Sequence, residues 1–154
     1  MTNTEITIHT DGCCLGNPGK GGCAAVVRRY QNGVEIKKRV VRDSAPETTN
    51  NRMELIAAIT GLGQIKRDEK AKITVISDSE YLILGMTERL PKWQAKGWRT
   101  AGGKPVKNQD LWEALLDVSD GLNIQWEWVR GHNGDTHNEE ADRLANQAAY
   151  SKAP

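Results

Sequence analysis

The chain has 154 residues, 38% of them hydrophobic and 27% charged, with a formal net charge of +1. That composition suits one domain with a proper core and excludes a disordered chain. No apolar run approaches the ~20 residues of a membrane helix, and MTNTEITIHT lacks the basic-then-apolar pattern of a secretory leader. The expectation is therefore a cytoplasmic protein with no membrane partner. Phe is absent, so five Trp and three Tyr supply the aromatic volume. Cys13, Cys14 and Cys23 are odd in number and show no C-x-x-C spacing, which fits packed free thiols rather than zinc or redox work.

In chain order, residues 5–10 alternate as a strand, with Ile6 and Ile8 on one face, ending at Asp11-Gly12. The Gly/Pro-rich residues 16–22 predict a turn. Residues 23–30 and 34–41 predict two more strands, joined at Asn32-Gly33, a strong hairpin dipeptide. Residues 51–66 predict a helix, since Leu55, Ile56, Ile59 and Leu62 recur at helical spacing. Residues 72–77 (KITVIS) predict a short strand buried on both faces. A helix follows over 79–89, then a Gly- and Pro-containing basic segment read as a short helix and a loop. Residues 110–119 predict a helix and 123–129 a strand with Ile124, Trp126 and Trp128 on one face. A Gly-flanked loop around His132 leads into a final helix over 138–150. Three leading strands followed by strand–helix alternation imply an α/β protein, a mixed five-stranded sheet with helices packed on it, in one domain over 1–154. Functional groups in such sheets gather at strand ends and the loops that leave them.

Charge is unevenly placed. Six basic residues and no acid lie between Arg89 and Lys107, whereas nine acids face three Lys or Arg from Asn108 onward. A phosphate-gripping surface beside a cation-binding one would show that pattern, and so would a solvated loop.

Four acids occupy informative places: Asp11 and Asp78 at strand ends, Glu54 in the first turn of the long helix, and Asp142 inside the last one. Each has an ordinary alternative. Asp78 suits an N-cap, Glu54 a capping-box partner of Asn51, Asp11-Gly12 a turn, and Asp142 a solvated position beside Arg143. What groups them is metal demand. Mg²⁺ takes hard oxygen ligands, two such ions can drive phosphodiester hydrolysis, and crowded carboxylates without cations repel. Among the histidines, His132 on its loop suits proton transfer or product release. His9, inside a strand, suits packing, and His137, before the last helix, suits capping or the surface. The glycines at 16–22 lack P-loop spacing, and Gly19-x-Gly21-x-x-Ala24 leads into a strand rather than the helix a dinucleotide site needs.

The stretches ITIHTDGCCLGNPGKGG, TTNNRMELIAAI, ISDSEY, GWRTAGGKPVKNQDLW and IQWEWVRGHNGDTHNEEADRLA resemble type 1 ribonuclease H of the bacterial kind, in family order over about residues 5–150. The resemblance implies a ribonuclease H-like fold, with three antiparallel strands, then two parallel, and helices on both faces. It implies an endonuclease that cuts the RNA strand of RNA–DNA hybrids, leaving 5′-phosphate and 3′-hydroxyl ends. Asp11 of TDG, Glu54 of RMEL, Asp78 of SDS and Asp142 of ADRLA match the family's catalytic metal ligands for two Mg²⁺ ions, or Mn²⁺ in their place. His132 of RGHNG matches its catalytic histidine.

The resemblance also implies the substrate contacts. Asn17 matches a contact to the RNA strand, Gly12 and Cys13 lie beside that minor-groove surface, and Asn50 and Asn51 match asparagines that face the hybrid's minor groove and the strands on either side. Thr49 and Asn108 fall near a DNA phosphate, and Trp93, Lys96 and Trp98 lie in a basic protrusion gripping the DNA strand. Cations supply sequence-independent phosphate affinity, aromatics pack on sugar or base, and the 2′-hydroxyl separates RNA from DNA. Glu47 stands where some relatives carry Arg, Gln94 and Ala95 where others carry Lys, and Glu80 where several carry Gln, so hybrid affinity is expected to be weaker and salt-sensitive. The expected partner is the hybrid, with no obligate protein partner and a monomeric state. The alternatives are a non-catalytic hybrid-binding module, or another nuclease or strand transferase of the same fold.

Overall fold

The computed structural model describes residues 3–131 and 135–150. Five strands form one sheet in the order β3-β2-β1-β4-β5: β1 (Thr4–Leu15), β2 (Gly19–Gln31), β3 (Val34–Thr48), β4 (Lys72–Ser77) and β5 (Ile124–Trp128). The first three are antiparallel, while β4 runs parallel to β1 and β5 parallel to β4. The mixed sheet expected from the sequence is the one observed.

The first hairpin is longer than its composition suggests. β1 continues past Asp11-Gly12 because β2 begins at Gly19 and stays in register with it as far as Leu15↔Lys20. The turn shrinks to residues 16–18, where Gly16 (φ 93°) and Asn17 (φ 24°) take the left-handed conformations. Asp11 is therefore an internal strand residue opposite Ala24, not a turn residue. β3 likewise runs on to Thr48, carried by its pairing with β2.

Helix α1 (Asn50–Leu62) begins at Thr49, whose hydroxyl accepts from Arg52 N at 3.2 Å, and leaves the helix at Gly63, short of the predicted residue 66. The helix predicted over 79–89 is instead α2 (Glu80–Leu84), a π-helical turn (Gly85–Arg89) and α3 (Leu90–Ala95). Leu90 N donates five residues back to Gly85 O. Pro91 does not stop the chain because it lies in the first turn of α3, where a backbone donor has least to lose. Helices α4 (Gln109–Ser119) and α5 (Thr136–Tyr150) complete the order.

One sheet face packs Ile6, Ile8, Ile73 and Val75 against Leu55 and Leu62 of α1 and against Trp112 and Leu115 of α4. Burying a side chain of that size stabilises by roughly 1.5–3 kcal/mol. The other face carries α5 against β1 and β2 through Ala141, Ala145 and Ala149, all 0% exposed, whose small size lets the helix come close. Because α5 covers β1 and β2, that face of β4 is only half-buried at Thr74 and Ile76, unlike the double burial predicted. The alternation of β5 is likewise incomplete in burial, with Trp128 44% exposed at its end. Among the described residues, no helix is long and apolar enough to cross a membrane.

Candidate active site

Four elements bring their acids to the carboxyl edge of the parallel strands: β4 ends there, α1 begins there, and β1 and α5 run past it. Pairing of β1 with β4 stops at His9↔Ile76, so Asp11 lies just past it on β1 and Asp78 just past the end of β4. Glu54 reaches the same point from the first turns of α1. Carboxylate oxygens of Asp11, Glu54 and Asp78 lie within 4.8 Å of one another. Asp142 joins from α5 through a side-chain hydrogen bond with Asp11.

Glu54 is anchored from two sides. Its Oε1 accepts the backbone N–H of Gly12 at 3.0 Å, and its Oε2 accepts Ser77 Oγ at 3.5 Å. A Cβ on Gly12 would fall 2.5 Å from the Met53 carbonyl carbon, so the close seating of α1 on β1 depends on that glycine. Neither ordinary alternative for the first two helices holds: Thr49 caps α1 and Ser79 caps α2, so Asn51 and Asp78 are not the N-caps.

Electrostatics follow from burial. Asp11 is 4% exposed and Glu54 8%. Burial, then the Glu54 and Asp78 charges and the hydrogen bond with Asp142, push the Asp11 carboxyl well above its ordinary range. Burial also raises Glu54, with Asp78 adding to it, against the lowering hydrogen bonds from Asp11, Gly12 and Ser77. Without a cation, burial and crowding favour the protonated over the charged form of both carboxyls. Hard carboxylate oxygens gathered this tightly fit a divalent cation such as Mg²⁺, which would relieve that repulsion.

The four acids line an open cleft of about 500 Å³ together with Gly12, Cys13, Asn50 and Asn51, so those eight predicted residues come together. Cys13 Sγ donates to Ala145 O at 3.5 Å, and burial raises its thiol. Asn17 does not line the cleft but is tied to a residue that does, its Oδ1 accepting Asn50 N at 3.0 Å. Asn108 is left-handed (φ 61°) ahead of α4; its Oδ1 accepts from Arg52 and its Nδ2 donates to Tyr81 Oη. The remaining predicted contacts lie apart from the cleft. Lys96 and Trp93 line a separate cavity of about 230 Å³ with Arg89, Lys92 and Arg99. Trp93 packs on Trp112 at 5.5 Å between ring centroids, and Trp98, held at φ 64°, packs against the main core, so both are partly structural.

His132 lies outside the described residues. His9 is buried as expected; burial, then His137 and Arg28, lower its pKa to about 4. His137 is half-buried and not the cap: its ring meets His9 edge-on at 5.2 Å, and Asp135 accepts the N–H groups of His137 and Asn138. Sequence reasoning missed Tyr81 and Asn146 in the cleft. Asn146 follows Asp142 by one turn and donates to Asp142 O at 2.9 Å and Oδ1 at 3.3 Å, so its i+4 spacing was the available signal.

Fold and site define a class, an α/β protein with a carboxylate-floored cleft at the carboxyl edge of its parallel strands. Comparison with known proteins narrows it. The RNase H family model matches residues 3–150. Ribonuclease HI of Pseudomonas aeruginosa is 49% identical over 148 residues, covering 96% of this chain and 95% of that one. A solved type 1 RNase H described as carrying the type 2 active-site motif, LC9-RNase H1, superposes with a TM-score of 0.85 at 33% identity, over 96% of this chain and 72% of that one. LC11-RNase H1, solved in complex with RNA/DNA hybrid, shares the fold with a TM-score of 0.67 at 23% identity over 94% and 96% of the two chains. The chain belongs to the RNase H family, a family of metal-dependent endoribonucleases.

Proposed function

We propose that this chain is an endonuclease that hydrolyses the RNA strand of RNA–DNA hybrids with two Mg²⁺ ions, or Mn²⁺ in their place. The observation that carries this reading is the cluster of Asp11, Glu54 and Asp78 oxygens within 4.8 Å of one another on the floor of an open cleft. Asp11, Glu54, Asp78 and Asp142 would hold the ions. Bound there, Mg²⁺ supplies charge stabilisation and eases deprotonation of a water. Water oxygen forms a bond to the scissile phosphorus as the bond to the 3′-oxygen breaks, and a proton reaches that oxygen, leaving 5′-phosphate and 3′-hydroxyl ends. His132 is assigned the proton handling at this step.

The remaining residues bind and orient. Asn50, Asn51, Gly12 and Cys13 border the cleft where the RNA strand and the minor groove would lie, and Asn17, bonded to Asn50, would meet the RNA strand. Asn108, tied to Tyr81 and Arg52, and Thr49 at the start of α1 would receive a DNA phosphate. Lys96, Trp93 and Trp98 would meet the DNA strand further out. The whole chain, 1–154, acts in this reading as one domain and one monomer in the cytoplasm.

The test is cleavage of RNA–DNA hybrid, duplex DNA and duplex RNA, each with and without Mg²⁺. The expected result is Mg²⁺-dependent cutting of the hybrid's RNA strand, abolished by Asp11→Asn. An uncut hybrid, or Asp11→Asn activity equal to the parent, overturns the reading.

A further inference from the structure

Of the four acids, Asp78 is the one whose backbone lies just beyond its own strand, past the last pair between β1 and β4. What reaches it is the end of β5. Trp128 is the last residue of β5 and pairs with Ser77, and Val129 N donates to Ser77 O at 3.0 Å. The indole of Trp128 then turns to the next peptide, Nε1 donating to Asp78 O at 3.0 Å. Its side chain is half open to solvent, so core packing does not account for it. An indole N–H is a donor only, carried on a rigid ring, and so fixes the direction of the carbonyl it meets. Farther along, Gly131 lies against the carboxylate itself: a Cβ there would fall 2.7 Å from Asp78 Oδ2. The β5 end thus meets Asp78 at its carbonyl and at its carboxylate.

We propose that Trp128 is a positioning residue for Asp78, holding its peptide so that the carboxylate points at Asp11 and Glu54 in a cation-ready arrangement. This rests on the reading of the acids as metal ligands. Outer partners that orient a ligand tune metal affinity without touching the ion. Trp128→Phe keeps an aromatic ring, smaller than the indole, and removes the donor.

The experiment is calorimetric titration of Mg²⁺ into the metal-free full chain, without nucleic acid, for the parent, Trp128→Phe and Trp126→Phe. Melting of each metal-free protein and hybrid binding without metal accompany it. The expected result is Mg²⁺ binding weakened ~10-fold in Trp128→Phe, the low end of losses for outer partners, with hybrid binding unchanged. Trp126, on the same face of β5 and packed against the core, measures what general destabilisation does to metal affinity. Equal Mg²⁺ affinity in parent and Trp128→Phe overturns the proposal. So does a loss matched by Trp126→Phe, or a loss of hybrid binding without metal, which would make the indole a substrate contact. A parent that binds no Mg²⁺ overturns the metal reading itself, a separable outcome.

Discussion

Gly12 N–H and Glu54 Oε1 meet at 3.0 Å, joining the strand that carries one acid to the helix that carries another. The contact exists because residue 12 has no side chain in the space that the Met53 peptide occupies. Gly12→Ala must push α1 away from β1, carrying Glu54 off Asp11. Overpacking at such a seam costs about 1–3 kcal/mol, and cleavage is expected to fall at least ~10-fold, since small misplacements of reacting groups are expensive. Urea unfolding and hybrid cleavage measured on the same preparations check this; parent-like activity would show that the seam tolerates displacement.

The raised Asp11 and Glu54 carboxyls make the metal-free protein pH-sensitive. Both bind protons more tightly folded than unfolded, so stability falls as pH rises above their ordinary values of 3.8 and 4.5, and goes on falling toward the raised folded values. Asp11→Asn removes the most strongly opposed charge. It is expected to stabilise the chelator-treated protein by on the order of 2 kcal/mol at pH 8, and much less near pH 4, where the parent is already protonated. Melting curves at both pH values decide it. Saturating Mg²⁺ should raise the parent's midpoint at pH 8 and move Asp11→Asn little.

Thr49 is read both as a phosphate contact and as the N-cap of α1. Thr49→Ala is expected to lower stability by about 1 kcal/mol through loss of the bond to Arg52 N, while Thr49→Ser retains it. Chemical denaturation reads the cap, and hybrid binding by both variants reads the phosphate contact separately. A Thr49→Ala protein as stable as the parent would remove the capping role.

Gln94 and Ala95 close α3 on the exposed basic side, near Lys92 and Lys96. Restoring charge with Gln94→Lys and Ala95→Lys is expected to tighten hybrid binding at low salt. Each new phosphate contact should steepen the log–log salt dependence by up to ~0.9 for B-like duplex. Glu80→Gln at the cleft and Glu47→Arg on β3 should act in the same direction. Fluorescence anisotropy on an Asp11→Asn background, at several salt concentrations, measures affinity and slope together; unchanged slopes would place these positions away from the nucleic acid.

Residue types and spacing by themselves determined most of the elements; they marked the four acids only as candidates, each with an ordinary alternative, and the resemblance to ribonuclease H grouped them. Period-two alternation marks Ile6 and Ile8, β-branched residues mark 72–77 to the residue, and 3.6-residue spacing marks α1. These are local signals, because side-chain direction along a strand or helix depends on the immediate backbone. Only the tertiary structure decided where β1 ends, since glycines that read as a turn become strand residues once β2 pairs across them and a helix presses close. It alone settled that Thr49 and Ser79, not Asn51 or Asp78, cap their helices, and that His137 turns inward onto His9. Above all it supplied the distances. Asp11, Glu54 and Asp78 are separated by tens of residues in the chain, and nothing in local propensity encodes that β1, β4 and α1 bring their oxygens within 4.8 Å. That proximity is a product of sheet register and helix packing, which are long-range, and it is what makes three ordinary acids a candidate place for a cation.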